Sequence, residues 1–325
     1  MPKEIAHFTM ARMTGKALGK EHAPFREAVE KYPALFVLGG VAPDINFYCM
    51  AGPGAKQIQA LSAPFHQSNR KALLPVLEFL DRRLAGKKSD FPALALAAGA
   101  VCHIMADTVF HPLVYYFAGM DGVHPGATAR HRQFETAMDL YFWQDGPGDP
   151  WLGRHLFFLE IPRQEVTVLL ADLFHARNPG QVNQALGWHT WIQYLFFAPW
   201  VKKLMTGARR LGLPFSGKAT GLAYPFRHGV ALPFFSEDIV YWDPVTRKKN
   251  LTSIRKLTQD TVDGTKKVLA LAAEAMGQQQ GIAAYLRAHP GLPQVRPGLP
   301  EQGFSLWKKE ENIMPRIYRG VCPPF

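Results

Sequence analysis

The chain has 325 residues, 47% of them apolar, enough for one large or two ordinary domains with a sizeable core and too apolar for a disordered chain. Lys and Arg outnumber Asp and Glu by 37 to 26, a formal +11, which favours phosphate-bearing partners such as phospholipid head groups, nucleotides or nucleic acid. Three cysteines, Cys49, Cys102 and Cys322, have no paired spacing and give no basis for a disulfide framework or a thiolate zinc site.

The opening residues MPKEIAHFTMARM lack an apolar core of signal-peptide length and carry Glu4, so a cytoplasmic protein is expected. Ile5, Phe8, Met10 and Met13 predict a first helix over 5–19, with His7 on its opening turn. Residues 32–54 are apolar but punctuated by Gly39, Gly40, Pro43, Gly52, Pro53 and Gly54, and read as short buried elements joined by turns. Asp44 follows Pro43 there; turns favour Asp for its backbone hydrogen bonds, yet an acid in such apolar surroundings needs a partner.

His66 precedes a helical run marked by Leu73, Leu74, Leu77, Leu80 and Leu84, whose basic exit reads as a solvated helix end. From Phe91 a further helix carries His103, Asp107 and His111 at successive turns and is expected to end near His111, because Pro112 disfavours helical geometry before it. After a Gly- and Pro-rich loop containing His124, residues 131–143 return to helical period, with His131 and Glu135 one turn apart. The longest apolar stretches, Phe91 to Cys102 and Trp188 to Val201, fall short of the roughly 20 residues that span a bilayer, and no transmembrane segment is expected.

Two more helices are predicted over 163–177 and 181–198. The aromatics of the second, Trp188, Trp191, Tyr194, Phe196 and Phe197, fit a core better than a lipid-binding face. Residues 222–250 contain a small β insertion around VALPFF and DIVYWDPVT, a hairpin closed by Asp243 and Pro244. A single amphipathic helix is predicted over 252–288, then an irregular Pro- and Gly-rich tail. The fold class is mainly α, with a helical domain over 1–290 and the tail over 291–325.

His7, Asp44, His66, His103, Asp107, His111, His131 and Glu135 together supply five imidazoles and three carboxylates without thiolate, a donor set that suits catalytic zinc and admits manganese or iron. One site needs about three protein ligands, so eight donors imply two or three ions sharing a carboxylate. The competing reading is of core histidines beside helix-surface acids. Against it, buried ionisable groups are rare unless paired or metal-bound.

This ordered set resembles the zinc-dependent phospholipase C family, which shares its fold and trinuclear site with the S1/P1 nucleases. The resemblance is carried by APD at 42–44, HxxxD at 103–107 and HxxxE at 131–135, and it covers residues 1–145 by motif and extends to about 290 by helical organisation. It implies a multi-helix bundle around the metal cluster. Asp44, His66, His103 and Asp107 would hold one zinc; Asp107 would bridge to a second that His7 also binds; His111, His131 and Glu135 would hold a third, with His124 the alternative to His111. Secreted relatives expose an N-terminal tryptophan to a zinc ion, and this sequence has no early Trp. The implied activity is phosphodiester hydrolysis, with Asp44 as general base and a phospholipid or other small phosphodiester as substrate, in peripheral contact with a membrane surface. The alternatives are a nuclease or a non-catalytic, metal-stabilised binding scaffold.

Overall fold

The computed structural model describes residues 3–87, 89–119, 126–145, 159–211, 223–224, 235, 238–244, 246 and 248–298. His124, Cys322, most of the VALPFF stretch and the tail beyond 298 lie outside the described residues. Among those described, the chain forms thirteen α-helices and one two-stranded sheet, the mainly α class expected.

In chain order the helices are α1 (Glu4–Ala17), α2 (Ala23–Lys31), α3 (Pro33–Gly39), α4 (Ala42–Ile45), α5 (Ala55–Ala60), α6 (Leu74–Leu84), α7 (Phe91–Ala118), α8 (Ala127–Asp145), α9 (Arg163–Leu173), α10 (Pro179–Phe197) and α11 (Pro199–Arg210). Strands β1 (Ile239–Trp242) and β2 (Lys249–Thr252) follow, then α12 (Ile254–Gly277) and α13 (Ile282–Ala288). The strands pair antiparallel, Ile239 opposite Thr252 and Trp242 opposite Lys249. The Asp243 N–H donates to Lys248 O at 2.9 Å, and Asp243 Oδ1 accepts from the Thr246 N–H at 3.1 Å, so this hairpin closes at Asp243 and Pro244 as expected.

Helix α7 is the axis, with α1, α2, α3, α6, α8 and α12 packed around it. Asp90 caps its start by accepting from the Ala93 N–H at 3.2 Å. Contrary to expectation, α7 does not end near His111; it continues through Pro112 to Ala118. An interior proline costs about 3 kcal/mol. Beyond it Leu113, Val114, Tyr116 and Phe117 are buried, and burial of one large apolar side chain recovers roughly 1.5–3 kcal/mol, so packing overrides the local preference. At 28 residues α7 is long and apolar enough to cross a membrane by length and composition, but its most apolar window is 89% buried inside the protein, as in a core helix.

Two contacts fix what surrounds α7. Helix α3 crosses it at glycines: a Cβ on Gly39 would overlap the Leu96 carbonyl oxygen, and one on Gly99 would overlap that of Phe36. Helix α1 has no local side-chain cap; instead Asp139 of α8 accepts from the Ile5 and Ala6 N–H groups at 3.2 and 2.9 Å. That cross-helix cap ties the first turn of α1 to α8.

The helix expected over 252–288 is two helices. Gln279 adopts φ +55 after Gly277, and Asp81 of α6 restarts the chain by accepting from the Ile282 and Ala283 N–H groups at 2.6 and 3.1 Å. The aromatics of α10 also divide: Phe196 is buried, Trp188 and Phe197 half-buried, and Trp191 and Tyr194 exposed, because one 19-residue helix turns successive aromatics through every direction.

Candidate metal centre

Four helices and one turn bring all eight donors into three groups, in each of which one ligand atom per residue lies within 4.8 Å of the others. His7 comes from α1, Asp44 from the short α4, His66 from the turn Ala63–His66, His103, Asp107 and His111 from α7, and His131 and Glu135 from α8. The groups are His7, His103 and Asp107; Asp44, His66 and His103; and His111, His131 and Glu135.

Asp107 lies at the middle, fully buried, with its two oxygens divided. Oδ1 is 3.6 Å from His7 Nε2 and 3.8 Å from His111 Nε2, whereas Oδ2 is 3.4 Å from His103 Nε2 and 3.5 Å from His66 Nε2. Asp44 Oδ1 is 3.0 Å from His66 Nε2 and 3.7 Å from His103 Nε2. On α8, His131 Nε2 and Glu135 Oε1 are 2.7 Å apart.

Three rings are aimed by backbone. Nδ1 of His103 donates to Gly40 O at 2.9 Å, Nδ1 of His66 donates to Ser62 O at 2.9 Å, and Nδ1 of His111 donates to Pro297 O. Each bond fixes the tautomer and turns Nε2 towards the carboxylates, the arrangement that metal-binding histidines use. The glycine crossing of α3 and α7 is what lets Gly40 O approach His103. Pro297 belongs to a strap over 290–298, which is also stitched down by Arg296 N–H to Thr108 Oγ1 at 3.0 Å and buries Leu292 and Val295.

The Nε2 atoms of His7, His66, His103 and His111, Nδ1 of His7, Asp44 Oδ1 and both Asp107 oxygens are buried without a hydrogen-bond partner. Each such atom costs about 1–3 kcal/mol. Cations held among them satisfy nearly all at once, so the residues present fit zinc.

Burial pushes His7 and His131 well below the ordinary imidazole range and His111 down to about 3, which keeps these rings neutral and able to donate to a metal. Burial works the same way on His103, but the charges of Asp107 and Asp44 outweigh it and push the ring up to about 9. Burial would raise Asp107; His111 and His103 beside it hold it well below the carboxylate range instead.

A cavity of about 410 Å³ opens beside the donors, with Asp44 and Glu135 in its wall. Phe47, Tyr48, Trp188, Trp191 and Phe196 make it largely aromatic, and Lys3 and Arg132 add positive charge.

The sequence model of zinc-dependent phospholipase C matches residues 6–192, more than half of the chain and a span containing all eight donors. The chain belongs to the zinc-dependent phospholipase C family. No curated protein and no solved structure matches it. The zinc-dependent phospholipase C match ends within α10, so α11, the hairpin, α12, α13 and the strap that orients His111 all lie beyond it.

Sequence reasoning missed the residues that hold the donors in place. Asp139 accepts from the Tyr224 hydroxyl at 2.6 Å as well as from α1, and burial pushes its carboxyl up to about 7. Its signal was its position one turn beyond Glu135. The carbonyls of Gly40, Ser62 and Pro297 leave no mark in residue identity.

Proposed function

We propose that the chain hydrolyses the phosphodiester bond of phospholipids in the manner of a phospholipase C, with two or three zinc ions held by the eight donors. His66, Asp44, His103 and Asp107 would hold one ion, His7 and Asp107 its neighbour, and His111, His131 and Glu135 a third. The observation that carries the reading is the placement of Asp107, whose two oxygens face different histidine pairs, as suits a carboxylate that two ions would share. The zinc-dependent phospholipase C match supports the metal and the reaction class.

Zinc bound there supplies Lewis acidity, acidifying water and offsetting negative charge on the phosphoryl group. The protein's own groups do the rest. Asp44 is the candidate general base: it sits in the cavity wall and accepts the proton of the attacking water. Lys3 and Arg132 bring positive charge to the phosphodiester, and the aromatic wall excludes water and takes the apolar part of the substrate. The family match favours lipid over nucleic acid, and a cavity open beside the donors favours catalysis over a closed scaffold.

The test is a side-by-side assay of zinc-loaded protein on a short-chain phosphatidylcholine and on single-stranded DNA. Release of diacylglycerol, abolished by Asp44→Asn, is the expected result. Faster cleavage of DNA would assign a nuclease, and full zinc occupancy without either activity would assign a scaffold.

A further inference from the structure

Beyond the cavity, the surface formed by α10 and α11 carries apolar side chains with no described cover. Trp191 and Tyr194 of α10, Trp200 and Leu204 of α11 and Leu211 just after it are each more than half exposed. Positions 200, 204 and 211 fall within about 40° of one another on a helical wheel and form one stripe. Val201 is buried and Met205 half-buried on the inward side, and Met205 lines the cavity. Lys203 and Arg210 are exposed along the other flank of the stripe.

Charge is distributed with the same bias. Between Asp172 and Glu237 there is no aspartate or glutamate, whereas Lys and Arg occur seven times, four of them in α11. An amphipathic helix with a tryptophan and leucine stripe beside basic residues is suited to lie in the plane of a lipid interface, its apolar edge among the acyl chains and its cations at the phosphates. A helix pair with four cations in α11 and no acid of its own favours an anionic interface over a neutral one.

We propose that α11, with the exposed edge of α10, docks the protein on an anionic lipid surface and brings the mouth of the cavity to it. Met205 on α11 and Trp191 on α10 both line that cavity, so the face that meets the lipid is continuous with the entrance to the site. The inference deepens the phospholipase reading and rests on it for the identity of the surface. It is separable from it, since docking requires none of the metal ligands.

The experiment is flotation of the 325-residue, zinc-loaded chain with vesicles of phosphatidylcholine alone or mixed with phosphatidylglycerol, read alongside hydrolysis of a monomeric short-chain phosphatidylcholine. Binding is expected to the mixed vesicles and to weaken as salt rises. The double variant W200S/L204S should lower the apparent affinity about tenfold or more. K203E/R210E should remove the preference for anionic vesicles. Both should keep wild-type zinc content and wild-type hydrolysis of the monomeric lipid. No binding to mixed vesicles, equal binding to neutral ones, or unchanged binding by both double variants would overturn the docking face. Vesicle binding without hydrolysis of the monomeric lipid would instead overturn the phospholipase reading and leave the docking face standing.

Discussion

Gly40 O accepts the Nδ1 proton of His103 at 2.9 Å, across a helix crossing that only glycine allows. A Cβ on Gly99 would collide with the Phe36 carbonyl and crowd the Gly39 Cα. Gly99→Ala should therefore cost about 1–3 kcal/mol of stability through overpacking and also tilt His103 from its aim. Thermal melts with and without zinc check both effects. The variant should melt lower in each condition and gain less from zinc than the wild type; an unchanged gain would separate the crossing from the metal centre.

Asp107 serves both sides of the cluster. Asp107→Asn retains its volume but loses one charge and one acceptor, and should release more than one equivalent of zinc. Metal analysis after purification without chelator measures this directly. Loss of a single equivalent would remove the shared role.

The pH response should have opposite signs in the metal-free and zinc-loaded protein. Without metal, His103 has its pKa raised from 6.5 to about 9, so its charged pairing with Asp107 and Asp44 stabilises the fold fully below about pH 6.5 and fades as pH rises through about 9. Zinc must displace that proton, so zinc affinity should climb over the same interval. Chemical denaturation at pH 6 and 9 should find the metal-free protein weaker at the higher pH and zinc-induced stabilisation larger there. His103→Gln should flatten both trends.

Gly298 lies against the His66 carbonyl, where a Cβ would overlap the oxygen. Gly298→Ala should lift the strap and withdraw Pro297 from His111, weakening zinc at the group of His111, His131 and Glu135. Loss of such an outer hydrogen bond costs on the order of 10- to 100-fold in metal affinity. Competition with a chelator should show one ion becoming labile while the others hold.

Much of this arrangement was legible in the residues, and the reason is periodicity. Donors four apart on a helix must share a face, so His103, Asp107 and His111, and likewise His131 and Glu135, declare their convergence in one dimension. Asp44 and His66 were visible only as polar residues in apolar surroundings, and the structure sets them 3.0 Å apart. Pro112 misled because its local preference is outweighed by apolar burial farther along α7. The split between α12 and α13 was hidden because its cause, Asp81, lies 201 residues away. The exposure of Trp191 and Tyr194 was likewise set by which side of α10 meets the body of the protein.

The bond from His111 to Pro297 spans 186 positions. A ribosome delivers the chain from its N-terminus, so every donor has emerged long before the carbonyl that orients His111. Zinc arriving during synthesis would meet an incompletely aimed third group, and retention of an ion there would wait on the segment around Pro297. A chain arrested before residue 297 would hold all eight donors but lack the carbonyl that orients one of them.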